Sequence, residues 1–171
     1  MNDITVTPER LFSFPNPVNE ISARLVAAGV LTMAVVAVTL DQRWLVILLA
    51  YGFWARVLTG PKLSPLGLLV TRVVTPRLAV EPRLVPGPPK RFAQGIGVVF
   101  TTAAVVLTYG AHAWPAAKGM LVLMIAAAFL EAAFGLCLGC KVFALLMRVG
   151  VVPEDVCERC NNIWAPRHAP S

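Results

Sequence analysis

Charge is scarce in this chain: Asp, Glu, Lys and Arg together make up only 14% of 171 residues, where a soluble domain carries about 25%. Histidine is scarcer still. The two present, His112 and His168, are isolated from each other and from any acidic or nucleophilic partner, so neither a catalytic triad nor a histidine metal set can be assembled. There is no phosphate-binding glycine loop and no G-x-S-x-G elbow, which argues against a nucleotide enzyme or an ordinary hydrolase. No 20–50-residue repeat occurs, and the proline-rich run "PRLVPGPP" (82–89) reads as a connector and not as a low-complexity domain.

What the chain has instead is apolar surface. Hydrophobic residues reach 57% and the mean hydropathy is +0.72, which places the chain in a membrane. The excess of six positive charges fits the basic flanks of inserted helices; the arginines are scattered and not interleaved with aromatics, so no nucleic-acid site is expected. Asp3, Glu9, Glu20 and three prolines precede the first apolar segment, which is too late and too acidic a start for a cleavable leader.

A spanning helix needs roughly 20 apolar residues. The first candidate is 23–40, with Arg24 at its mouth and Asn19 or Ser22 able to cap it. After the turn Asp41-Gln42-Arg43 comes 44–59, where Arg56 is expected to snorkel to the headgroups and Trp44 and Trp54 to lie near the interfaces. The third runs over 93–113, with Lys90 and Arg91 as anchors for anionic lipid and Gln94 bonded to a neighbouring helix. The fourth begins at Gly119, and its apolar pattern continues to Gly150, too long for one crossing. Gly135, Gly139 and Lys141 put the break at the first cysteine pair, and 141–150 then suits a helix on the membrane surface, Lys141 and Arg148 opposite Phe143, Leu146 and Met147. The expected fold is all-α and polytopic, with about four transmembrane helices in two hairpins, short interfacial helices and a cysteine-containing cytoplasmic tail. Its divisions are 1–22, a first hairpin at 23–59, a basic connector at 60–92, a second hairpin with its extension at 93–150, and the tail 151–171.

Orientation follows from basic residues. The 60–92 connector holds six (Lys62, Arg72, Arg77, Arg83, Lys90, Arg91), against Arg43 and Lys118 in the opposite turns, so the connector and both termini are expected in the cytoplasm. Cys137, Cys140, Cys157 and Cys160 then face a reducing compartment, where structural disulfides are rare.

Two C-x-x-C pairs separated by sixteen residues, 141–156, have the spacing of a four-thiolate zinc site. The same four thiols can form a relay, because Lys141 beside the first pair supplies a cation that lowers a thiolate pKa, and the second pair could resolve or pass on a disulfide or persulfide. Packing without chemistry accounts for Cys137 better than for the polar "CERC". Glu131, a carboxyl inside the fourth segment, is expected to face the bundle interior, protonated or paired, in an inter-helix bond or on a proton or substrate path.

"FPNPVNE" (14–20), "PPKRFAQGIG" (88–97), "CLGC" (137–140) and "VPEDVCERCN" (152–161), taken in order, resemble the bacterial membrane family called domain of unknown function 4395. The likeness extends from about Phe12 to Asn161. It implies a multi-pass protein of the bacterial inner membrane. Some members are encoded beside thioredoxin-like or sulfurtransferase proteins, which implies thiol or sulfur handling with such a partner. Membrane lipid is the other expected contact, and self-association in the bilayer stays open. The opposed reading is a non-catalytic scaffold or accessory subunit holding zinc on Cys137, Cys140, Cys157 and Cys160.

Overall fold

A computed structural model of the chain describes residues 18–78, 81, 83–85 and 87–151. Cys157, Cys160, His168 and most of "FPNPVNE" lie outside the described residues. A two-residue strand, β1 (Val18–Asn19), leads into helix α1 (Glu20–Thr39), followed by α2 (Trp44–Thr59) and the short α3 (Pro65–Leu69), which a wide turn and a last α-turn extend to Arg77. Strand β2 (Leu84–Val85) pairs antiparallel with β1 and precedes α4 (Gly87–Val105), whose last turns widen over Val106–Gly110. Helices α5 (Trp114–Phe134) and α6 (Leu138–Arg148) complete the chain. Four helical runs, Glu20–Thr39, Trp44–Arg77, Gly87–Gly110 and Trp114–Phe134, are long and apolar enough to cross a membrane.

Local chemistry explains most boundaries. The Asn19 side chain accepts the Ile21 amide at 3.0 Å and caps α1, so the helix starts three residues before the expected 23. Gly60, at φ 66°, ends α2 where the apolar run stops, and Pro61 and Pro65 keep the segment beyond it from continuing α2. The third span begins at Gly87, not at 93, because Pro88 and Pro89 fall in its first turn, where a missing N–H costs nothing. Within the apolar helices the hydroxyls of Thr32, Thr39, Thr101 and Thr108 each donate to the carbonyl four residues back, at 2.7–2.9 Å, which satisfies them without water.

Packing does not follow chain order. The most extensive helix contacts are α1 with α5 and α2 with α4, ahead of α1 with the adjacent α2. Ala34, Ala37, Ala104 and Ala117 are fully buried in the core, so small side chains bring the helices close, with Val46, Leu49 and Leu121 filling the space between. At one end of the bundle the turns 40–43 and 111–113 meet: Trp114 Nε1 donates to Asp41 Oδ1 at 2.7 Å and Lys118 Nζ lies 2.6 Å from the same oxygen. Lys118, foremost, and Trp114 hold the Asp41 carboxyl below its usual range.

Two expectations are corrected. Arg56 does not snorkel: it is only 6% exposed, its guanidinium 4.4 Å from the Phe53 ring centroid, its Nε donating to Gln94 and its Nη1 to Ser64. Gln94, as expected, bonds a neighbouring helix. Lys90 is not a lipid anchor either; it is 7% exposed and paired with Glu131, while Arg91 stays exposed and donates to the Val57 carbonyl. Both lysine and arginine turn inward because the bundle offers them acceptors.

Candidate dithiol site

The site is built at the end of α5. Gly135 adopts φ 68°, and the amides of Gly135 and Leu136 turn back onto the carbonyls of Glu131 and Leu130 at 3.0 and 3.1 Å. Arg24 of α1 donates to the next carbonyls, Ala132 and Ala133, at 2.8–3.2 Å, so a cation caps the negative end of the helix. A side chain at Gly135 would be strained by that φ and would press on Glu20 Oε1 at 3.0 Å. The chain therefore turns at "GLC" and starts again as α6, and the break falls where the sequence places it.

Cys137 is the residue before α6, extended at φ −82° and ψ 104°, and its carbonyl accepts the Lys141 amide at 3.1 Å to open the helix. Cys140 lies one turn on. Residues three apart on a helix turn place their Cβ atoms about 5–6 Å apart, near the reach of a disulfide after small adjustment. Both cysteines are free thiols, Cys137 buried and Cys140 half-buried. Cys140 hydrogen-bonds to the Cys137 sulfur, which lowers the Cys137 pKa below the usual thiol value and pushes that of Cys140 up. The pair is thus divided into a more acidic sulfur, Cys137, and a less acidic one, Cys140.

The charges around the pair come from elsewhere in the chain. Lys90 Nζ of α4 lies 2.6 Å from Glu131 Oε1 of α5, the side chains 9% and 16% exposed. Lys90 lowers the Cys137 pKa and Glu131 raises it. Lys141, the expected cation, is exposed and its amide, not its ammonium, is what engages Cys137. The inter-helix bond expected of Glu131 is present. Sequence reasoning missed Lys90 as its partner; the signal was there, since an intramembrane carboxylate calls for a cation at a similar depth. Gly139 seats α6 against α4, where a Cβ would come within 2.5 Å of Ala93 Cα, and Phe143 packs on Phe92 with centroids 5.5 Å apart.

Cys137 separates two cavities. One, of about 310 Å³, also touches Lys90, Cys140 and Lys141 and opens at the bundle end. The other, of about 340 Å³, reaches in among α1, α2, α4 and α5 and includes Arg56, Gln94 and Glu131. Among the described residues no three His, Cys, Asp or Glu side chains are grouped to hold a metal, and the two thiols here would need Cys157 and Cys160 to complete the expected zinc set.

A family profile described as a domain of unknown function, DUF4395, matches residues 18–148. The chain belongs to this family. The DUF4395 match includes Cys137 and Cys140 and ends before Cys157 and Cys160, a narrower span than the resemblance read from the motifs. No curated protein and no solved structure matches the chain.

Proposed function

We propose that this chain is an integral membrane thiol–disulfide protein in which Cys137 is the attacking sulfur and Cys140 the resolving one, exchanging electrons with a thioredoxin-like protein on the cytoplasmic side. The observation that carries the reading is the Cys140 hydrogen bond to the Cys137 sulfur at the start of α6, which lowers the pKa of the one and raises that of the other. In the cycle a partner thiolate attacks Cys137 Sγ of the Cys137–Cys140 disulfide and releases the Cys140 thiolate; the partner's second thiol then attacks the partner sulfur of this mixed disulfide, releases the Cys137 thiolate and leaves the partner as a disulfide. Two electrons and two protons pass to the pair. Two hairpins, with both termini and the connector in the cytoplasm, give the pair access to that partner, and the bias of basic residues supports this orientation. Cys157 and Cys160 would serve as a second pair that passes electrons, or sulfane sulfur, onward.

The test is made on the full chain purified without chelator. Bound zinc and free thiols are counted, and the protein is equilibrated in dithiol buffers spanning about −270 to −180 mV, the range of thioredoxin-like carriers. The expected result is a reversible Cys137–Cys140 disulfide seen by mass spectrometry. One zinc per chain with all four thiols protected would instead establish the scaffold reading, in which Cys137, Cys140, Cys157 and Cys160 fix the tail.

A further inference from the structure

Thiol exchange with a soluble partner needs only the cavity at the bundle end. The second cavity, on the other side of Cys137, is left without a role. Its 340 Å³ falls at the lower end of small-molecule sites, about 300–1,000 Å³. Its walls are mostly apolar, and Arg56, Gln94 and Glu131 line it together with Cys137. At its rim are Leu123, Leu138 and Val142, which are 56%, 47% and 43% exposed and so face lipid in a membrane-spanning bundle. A ligand suited to this space has a compact head with hydrogen-bond acceptors and an apolar tail that leaves between α5 and α6.

The head must also react with a dithiol. A guanidinium has five N–H donors, and Arg56 uses Nε on Gln94 and Nη1 on Ser64, which leaves donors for a carbonyl oxygen in the cavity. The geometry points to a membrane quinone, a benzo- or naphthoquinone ring with an apolar tail, as the ligand of this cavity and the oxidant of the Cys137/Cys140 dithiol. This rests on the thiol–disulfide reading above, and adds the acceptor to which the electrons go.

The Cys137 thiolate adds to an electron-poor ring carbon, forming a C–S bond and moving an electron pair onto a quinone oxygen, where the guanidinium stabilises it. The Cys140 sulfur, giving up its proton, attacks Cys137 Sγ. The S–S bond forms, the C–S bond breaks with its electron pair returning to the ring, and the two protons of the dithiol end on the two quinone oxygens. One dithiol and one quinone give one disulfide and one hydroquinone.

The experiment uses the full chain carrying Cys157→Ser and Cys160→Ser, reduced and embedded in phosphatidylcholine nanodiscs, with decylubiquinone as the quinone and diamide as a soluble oxidant. Expected are one quinone reduced per Cys137–Cys140 disulfide, a rate that saturates with quinone, and a half-saturating concentration at least tenfold higher in Ala127→Leu, which narrows the cavity, with diamide oxidation unchanged. Leu123→Trp, at the rim, is a second variant expected to act in the same direction. If diamide forms the disulfide but decylubiquinone does not, or its rate never saturates and is indifferent to both variants, the quinone inference is wrong and the thiol reading stands. If neither reagent forms the disulfide, both are wrong. A phospholipid that co-purifies in the cavity and is not displaced by decylubiquinone also overturns the inference.

Discussion

Replacing either partner of the Lys90–Glu131 pair should destabilise the protein while moving thiol reactivity in opposite directions. The two side chains are 9% and 16% exposed and 2.6 Å apart, and removing one partner of a buried pair costs about 3–5 kcal/mol because the other charge is left without compensation. Lys90→Met and Glu131→Gln are each expected near the lower figure, about 3 kcal/mol, since each remaining group is not wholly enclosed. Replacing both by apolar residues removes the stranded charge, so Lys90→Met/Glu131→Leu should cost about 1 kcal/mol, far below the sum. Reactivity follows the signs at Cys137: Lys90 favours its thiolate and Glu131 opposes it. A unit charge acting across a solvated gap is worth on the order of 0.5–1 kcal/mol, which amounts to roughly a two- to fivefold change in thiolate fraction. On the Cys157→Ser/Cys160→Ser background, maleimide labelling of Cys137 at pH 7.5 should slow in Lys90→Met and quicken in Glu131→Gln. Stability is read from unfolding in mixed micelles. Additive costs in the double variant, or two single variants that shift labelling the same way, would refute the arrangement drawn here.

With pH, labelling of Cys137 should rise through a midpoint below 9.0, the ordinary thiol value, while Cys140 stays unreactive over the same range; in stability the two shifts oppose each other, the lowered Cys137 contributing above 9.0 and losing that as pH falls, the raised Cys140 contributing below 9.0 and losing that as pH rises. Gly139→Ala places a methyl 2.5 Å from Ala93 Cα, so α6 must shift; a loss of about 1–3 kcal/mol is expected, with slower Cys137–Cys140 disulfide formation by diamide, and wild-type values for both would show that α6 does not dock as described. For topology, an impermeant maleimide added to intact cells should label Lys118→Cys and leave the native cysteines untouched, whereas labelling of Cys157 or Cys160 from outside would reverse the orientation.

Much of the architecture is written locally. Apolar run length against hydrocarbon thickness determines four spans, and the glycines and lysine around "CLGC" determine where the fourth must break, because a helix continuing to Gly150 would exceed one crossing. The burial of Glu131 is equally local, since an intramembrane carboxylate has nowhere favourable to point but inward. Its partner is not. Lys90 is 41 positions away in the chain, and by hydropathy it reads as an interface anchor just as Arg56 reads as a snorkelling one. What brings Lys90 to Glu131, Arg56 to Gln94 and Arg24 to the last carbonyls of α5 is helix packing, with α1 against α5 and α2 against α4. The spacing C-x-x-C marks Cys137 and Cys140 as a pair, but only the fold puts one sulfur between two cavities and gives it a cation from α4: a local pattern specifies which groups are present, and their pKa values depend on neighbours that packing supplies from distant parts of the chain.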